Sequence, residues 1–237
     1  MPESSSLATS PQNLHAISQT LLSKTKLVHP PQKAQINPVT TAVIADLHLH
    51  PTLEATLHIL NHDLPSAHFL VRHMQAPPAV EGMLLHGILH RAEGDFDNAR
   101  AWIGDVGDAC AGFVPKRRGQ SERLESEVYE RIGSGEGANA QTSLISFVYS
   151  DEEEEGMKLI RDVEVFRGKK GRERLHGEEE QIEERIRMEL SRVMEWSGSK
   201  FGDGEVLDAR SAWVKNSDDI TSMSNAMVSG DMGWRKF

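Results

Sequence analysis

Two helical patterns joined by Gly94-Asp95 constrain the fold of this chain more than any other feature. Apolar residues keep helical spacing from Pro77-Pro78 to about Glu93, and again from Phe96 to about Asp105. Proline suits the first turn of a helix, glycine accepts the positive φ of a tight turn, and aspartate caps the helix that follows it. Because the connection is so short, the two helices are predicted to pack as an antiparallel pair.

Helical spacing also predicts most of the remaining elements, so the predicted fold class is all-α, an irregular helical domain. No unit of about 20 to 50 residues repeats along the chain, which argues against a solenoid of stacked repeats. Residues 142–149 suit a short helix or a strand, and the helix is favoured. Other helices are expected over Thr41 to about Leu60 with a break at Pro51, Pro65 to about Met74 with Asp63 as its cap, Ser121 to Ile132, Met157 to Phe166, and Glu178 to Trp196.

The helix from Glu178 to Trp196 is expected to pack on the domain, because one of its faces is apolar. Glu183 stands four residues before Arg187, which is the favourable order for an ion pair along a helix. The apolar face consists of Ile182, Ile186, Leu190 and Val193 or Met194.

The chain is predicted to contain one helical domain, residues 41–237, preceded by a flexible and partly disordered arm, residues 1–40. The arm is rich in Ser, Thr, Gln and Pro and carries one short helical pattern. A stretch near 168–177 has almost no apolar residues and indicates a charged linker. Residues 201–237 include Trp213 and Trp234 and are expected to fold back on the helices, because so much apolar area disfavours a free tail.

Charge and cysteine content narrow the classes of function. A net charge of −10 opposes association with nucleic acids and anionic lipids, so neither nucleic-acid nor membrane partners are predicted. The sequence shows no apolar run of about 18 residues and no secretory signal. Its single cysteine, Cys110, cannot form an internal disulfide, which favours a reducing compartment. We therefore expect a cytoplasmic protein, with an oligomeric state that the sequence leaves open.

Eight of the eleven histidines fall within residues 48–90, and two of them have the spacing of metal ligands. His86 and His90 are four residues apart, so on a helix they share one face and could ligate one divalent metal. In the alternative, both lie in the helix interface, hydrogen-bonded to acidic neighbours such as Asp95 or to backbone carbonyls. A third ligand could come from His68 or His73 on the preceding helix, or from Glu93.

Specific catalytic motifs are not supported. A metalloprotease helix needs glutamate directly after its first histidine, and Gly87 stands there. The run Asp46 to His50 could follow a strand at Val43 to Ala45, as in metal-dependent barrels, but the long alternation of strands and helices that such barrels need is missing. No histidine after Cys110 lies within the compact part of the predicted domain, so a thiol nucleophile is disfavoured as well.

Residues Gly87 to Ile103 resemble half of a tetratricopeptide repeat. Gly87 matches the point where the two helices approach each other, Gly94-Asp95-Phe96 matches the turn and the aromatic residue after it, and Ala99 matches the small contact residue of the second helix. His90 stands where the repeat usually has tyrosine, and no neighbouring repeat flanks the pair. The resemblance implies a helical interaction or scaffold protein.

A longer block, Leu64 to Trp102, is similar to fungal proteins of uncharacterised function, as are Lys200-Phe201-Gly202 and the ending Gly233 to Phe237. The hairpin part is also similar to bacterial proteins that are uncharacterised. These resemblances imply no particular activity. The matching positions are His68, His86, His90, Arg91, Glu93, Gly94, Asp95 and Asn98.

The sequence therefore predicts a non-catalytic intracellular interaction or scaffold protein with protein partners and no cofactor. The rival prediction is a metal-binding protein or small metalloenzyme, with a divalent metal in a histidine-lined site between helices. In the rival, His68, His86 and His90 bind the metal, and Arg91 and Glu93 support them or bind substrate. The candidate site residues are His68, His86, His90, Arg91, Glu93, Asp95 and Asn98.

Overall fold

A computed structural model confirms the all-α prediction. It describes residues 11–31, 39–133, 142–150, 153–170 and 176–214, and within these ranges the chain forms helices and no strand. Short 3₁₀ segments cover Arg118–Gln120 and Ala209–Ala212. The α-helices are α1 (Pro11–Lys24), α2 (Thr41–Ala45), α3 (Pro51–Leu60), α4 (Leu64–Val71), α5 (Val80–Glu93), α6 (Phe96–Cys110), α7 (Ser126–Glu130), α8 (Leu144–Tyr149), α9 (Glu153–Gly168) and α10 (Glu178–Phe201).

Helices α3 and α5 form the centre of the molecule. Every residue of α3 except Glu54 is buried, and so is every residue of α5 from Val80 to Ala92. A helix buried on all sides needs neighbours on all sides. For α3 these are α1, α2, α4, α5 and α10, and α5 is flanked by α3, α4 and α6.

The predicted hairpin is present as α5 and α6. Gly94 adopts a φ of 96°, and the Asp95 side chain caps α6. The glycine at position 87 allows the helices to approach closely, because a Cβ there would lie 3.1 Å from the Cβ of Trp102. The finer likeness to a tetratricopeptide repeat stays a prediction.

Several predicted boundaries differ from the structure. Helix α6 continues to Cys110 and α10 to Phe201, beyond their predicted ends. The helix predicted from Ser121 to Ile132 is wrong over its first half, because the backbone of residues 122–124 bonds to residues 112–114 instead. Only α7 remains of it. Helix α8 confirms the choice of helix for residues 142–149.

The described part of the N-terminal arm is joined to the core. Leu21, Leu27 and Val28 are buried. The backbone N–H groups of Leu27 and Val28 donate to the Glu183 carboxylate of α10 at 2.9 and 2.8 Å. The domain boundary at residue 40 stays a prediction, but residues 11–31 pack with the domain that follows them.

Helix α10 buries the predicted apolar face, Ile182, Ile186, Leu190 and Val193. The expected ion pair of Glu183 with Arg187 is wrong, because burial commits Glu183 to backbone donors. Arg187 pairs instead with Glu180 and Glu184 on the exposed side.

The described part of the C-terminal segment folds back on the helices, as predicted. Val206 N donates to His48 O at 2.6 Å, and Val214 N donates to His73 O at 2.9 Å. The Trp213 ring lies 4.5 Å from the ring of His73. The rest of that prediction, including Trp234 and the ending Gly233 to Phe237, lies outside the described residues, as do residues 171–175 of the predicted linker.

The large apolar side chains that are exposed do not share one element. Phe69 is on α4, Val165 on α9 and Met188 on α10, and Leu207 follows α10. Among the described helices, none has the length and apolar content required to span a bilayer.

Candidate metal site

Three of the predicted site residues meet between α4 and α5. His68 extends from α4, and His86 and His90 extend from successive turns of α5, with ligand-capable nitrogens within 4.8 Å of one another. The Nε2 atoms of His68 and His86 are 3.1 Å apart. Two nitrogens that each bind a tetrahedral zinc ion at about 2.0 Å would be separated by about 3.3 Å. The spacing therefore fits two ligands of one ion.

Stacking holds the three imidazole rings. His86 stacks on His90 with ring centroids 4.9 Å apart, and on Trp102 of α6 with centroids 4.4 Å apart. His68 meets His86 and His90 edge-on at 5.0 and 5.6 Å. These contacts restrict ring rotation, so the cluster is preorganised by α4, α5 and α6 together.

Glu93 faces two of the histidines. Its Oε1 lies 3.8 Å from Nδ1 of His68, and its Oε2 lies 3.5 Å from Nδ1 of His90. Asp95 Oδ2 is 3.7 Å from the same Nδ1 of His90. A carboxylate at Nδ1 leaves Nε2 available to a metal, and it is the usual outer support of a metal-binding histidine.

The charge states suit metal binding. Burial lowers the pKa of His86, and the neighbouring imidazoles of His90 and His68 lower it further, to about 2. Burial by itself would raise the pKa of Glu93, but its contacts with His68 and His90 prevail and lower that pKa to about 2. At neutral pH His86 is therefore a neutral imidazole and Glu93 a carboxylate, as a histidine ligand and its support should be.

The hydrogen bonding of the cluster is incomplete in the protein by itself. Nδ1 of His86 and Nδ1 of His90 are buried without a hydrogen bond to any described residue. His86 therefore differs from the alternative in which Asp95, Glu93 or a backbone carbonyl satisfies both histidines, because its hydrogen-bond partner among the described residues is the Nε2 atom of His68. Buried polar atoms in a packing interface are normally satisfied, so the two unpaired Nδ1 atoms set this cluster apart from ordinary packing.

The remaining predicted site residues do not all join the cluster. Asp95 and Asn98 lie at its rim, where Asn98 Nδ2 donates to Asp95 Oδ2 at 2.7 Å. Arg91 does not join them: its guanidinium pairs with Glu189 of α10, which also accepts a 2.6 Å hydrogen bond from the Tyr149 hydroxyl. Arg91 therefore ties α5 to α10, and its hydrogen bonds with described residues are to Glu189 rather than to the histidine cluster.

His73, the other candidate for third ligand, also lies outside the cluster. Its Nδ1 contacts Phe69 O at 2.9 Å, and its ring lies against Trp213. It therefore joins the C-terminal segment to α4.

The barrel-type interpretation of Asp46 to His50 is wrong. Val43 to Ala45 belong to helix α2 rather than to a strand, and His50 caps α3. His58, four residues before His62, has the spacing of a second histidine pair, but it is buried, with Glu54 and Asp63 within 3.6 Å of its ring nitrogens.

Two residues at the cluster were not assigned to it from the sequence. Trp102 stands eight residues after Gly94 and His86 eight residues before it, so the turn predicts that they face each other across the hairpin. Arg72 stands four residues after His68, which places both on one face of α4. Each of these signals is local and was available in the sequence.

Comparison of the chain with known protein families, with curated proteins and with solved structures finds no match.

Proposed function

We propose that this protein binds one divalent transition-metal ion through His68, His86 and His90. The observation that carries the proposal is the convergence of their nitrogens within 4.8 Å, with two Nε2 atoms only 3.1 Å apart. Imidazole ligands suit zinc, copper, iron and nickel, whereas magnesium and calcium prefer oxygen. Zinc is the first candidate because it accepts three histidines in a tetrahedral arrangement without a redox change.

The interaction or scaffold function stays a prediction. It draws on the tetratricopeptide resemblance, whereas the exposed apolar residues are dispersed over several elements. The two functions are compatible, since a metal that joins α4 to α5 would also stabilise a helical surface. The histidine cluster favours the metal function, because it concentrates a specific donor set in one place.

Metal content of untagged protein, purified without chelators and measured by elemental mass spectrometry, tests the proposal. We expect close to one zinc ion, or another divalent transition metal, per chain. His68→Gln and His86→Gln should lose most of it. His73→Gln is the matched control, because it removes an imidazole next to α4 that lies outside the cluster.

His68→Gln is the decisive variant. The side chain of His68 is 24% exposed, so its replacement should disturb folding less than replacement of the buried His86. Circular dichroism would establish that the variant remains helical. Wild-type protein that takes up no metal even after incubation with zinc, or full metal retention in a folded His68→Gln, would overturn the proposal.

A further inference from the structure

The three histidines leave one side of the cluster accessible. His86 and His90 are buried, but the side chains of His68 and Glu93 are 24% and 20% exposed, and that of Asp95 is 42% exposed. Zinc sites with three protein ligands keep a fourth position for water or a ligand. An ion held by these histidines would therefore have its remaining position toward this exposed rim.

A cation lies on the same face of α4 as His68. Arg72 N donates to His68 O at 3.1 Å, so the helical geometry of α4 extends through Arg72 and both side chains leave the same face. Arg72 is exposed, and none of the ion pairs found in the described part of the chain includes it.

The balance of charge around the cluster favours an anion. A divalent ion together with Arg72 outweighs the two carboxylates of Glu93 and Asp95 and leaves one net positive charge. Glu93 faces His68 and His90, and Asp95 accepts a hydrogen bond from Asn98. A ligand that offers one oxygen to the metal and another to the planar guanidinium would meet both positive groups.

We infer that the metal centre takes an exogenous oxyanion, a carboxylate or phosphate group, at its open coordination position, with Arg72 as the second contact. This inference rests on the proposed binding of a metal by His68, His86 and His90. It assigns Arg72 to ligand selection, a role distinct from metal binding.

Cobalt-substituted protein allows the metal and the ligand to be observed separately. Visible absorption of bound Co²⁺ reports its coordination, and acetate, methylphosphonate and imidazole serve as a carboxylate, a phosphate-like anion and a neutral ligand. We expect each probe to change the spectrum in a saturable way. The tighter of the two anions identifies the preferred class of ligand.

Arg72→Gln should weaken binding of the preferred anion by about three- to ten-fold, because it removes one charge near a partly hydrated site. Imidazole binding should stay unchanged, since a neutral ligand gains little from Arg72. Arg161→Gln, which removes an exposed arginine from α9, is the matched control and should leave all three affinities unchanged.

The outcomes separate the inference from the proposed function. Protein that binds no Co²⁺ would overturn both. If the protein binds Co²⁺ but its spectrum responds to none of the probes, the metal has no open coordination position, and the inference fails while metal binding stands. A response to imidazole but not to the anions, or equal anion affinity in wild type and Arg72→Gln, would overturn the anion specificity and leave metal binding in place.

Discussion

Gly94 occupies a position where backbone geometry and a neighbouring side chain both exclude a Cβ. Its φ is 96°, and a Cβ there would lie 2.8 Å from Nη1 of Arg167. Arg167 cannot easily move aside, because it donates hydrogen bonds to the carbonyls of Val28 and Ala92. Glycine is therefore required at position 94 for two reasons: the turn needs a positive φ, and Arg167 of α9 leaves no room for a Cβ.

Gly94→Ala is therefore expected to destabilise the protein by about 1 to 3 kcal/mol. Gly104→Ala is the matched control, because Gly104 lies within α6 and a Cβ there would meet nothing closer than Met157 Cε at 3.9 Å. That change should be neutral or stabilising by up to about 1 kcal/mol. Urea unfolding of both variants checks the prediction, and equal effects would contradict it.

His50 makes stability depend on pH. Burial, with a smaller contribution from the charge of Lys200, lowers its pKa from 6.5 to about 4. The unfolded chain therefore binds a proton more readily than the folded protein between these values. With respect to His50, the free energy of unfolding is therefore at its full value above about pH 6.5 and decreases progressively as the pH falls toward 4.

Replacement of His50 by asparagine should reduce this dependence. Asparagine retains a side chain that can cap α3 but does not titrate, while the stacking of His50 on Phe201 is lost. Between pH 7 and pH 5, wild type should lose about 1 to 2 kcal/mol more than His50→Asn. Urea unfolding at the two pH values measures the difference, and the same loss in both proteins would be evidence against this role.

At the level of elements, a buried ion pair joins α5 to α10. Arg91 and Glu189 are both buried, and Tyr149 of α8 donates to the same carboxylate. Removal of one partner leaves the other charge buried, so Arg91→Met should destabilise the protein by about 3 to 5 kcal/mol. The addition of Glu189→Gln should recover part of that loss, because it removes the unpaired charge.

The same variants test whether Arg91 contributes to metal binding. If Arg91 serves only to join helices, the folded fraction of Arg91→Met should bind as much metal per chain as wild type. Unfolding curves and metal content, measured on the same preparations, give the two readouts. If a stably folded Arg91→Met variant bound less metal than wild type, Arg91 would have to be included among the residues of the metal site.

Glu183 joins the N-terminal residues to α10 in a comparable way. Glu183→Ala leaves the N–H groups of Leu27 and Val28 without their acceptor, which should cost about 2 to 4 kcal/mol. The rate of backbone amide hydrogen exchange should rise first in residues 11–31, because the contact with Glu183 holds these residues against α10. Glu184→Ala, on the exposed side of α10, is the control, and a similar rise there would refute the assignment.

Elements that are encoded by short-range sequence patterns were predictable from the sequence. Contacts between residues far apart in the chain were not. The hairpin follows from Gly94, Asp95 and helical spacing, and the histidine pair follows from a four-residue interval. In contrast, Arg91 meets Glu189 across 98 residues, and Glu183 meets Val28 across 155. These contacts depend on how whole helices pack, and no short spacing rule encodes that packing.

The helix predicted from Ser121 to Ile132 illustrates the same limit. Leu124, Val128 and Ile132 are spaced like one face of a helix, yet only Ile132 is fully buried. Without a partner surface, that spacing stabilises little helix. Backbone bonds to residues 112–114 decide the conformation of its first half instead.

At the scale of the whole molecule, metal binding should raise thermal stability. A ligand present at about one hundred times its dissociation constant stabilises the folded state by about 2.7 kcal/mol. For a chain of this size, that corresponds to a rise in the melting temperature of about 5 to 10 °C. Differential scanning fluorimetry with zinc and with EDTA should show the rise in wild type and His73→Gln. The same rise in His86→Gln would indicate that the ion stabilises the protein from elsewhere.

All members of the histidine cluster come from one continuous stretch, His68 to Trp102. Contacts between residues close in sequence form faster than contacts that must close long loops. During synthesis, the segment from α4 to α6 is made before α8, α9 and α10. The three donors can therefore meet while the chain is still growing, and if they bind a metal as proposed, metal supply would influence the synthesis of this protein as well as its stability.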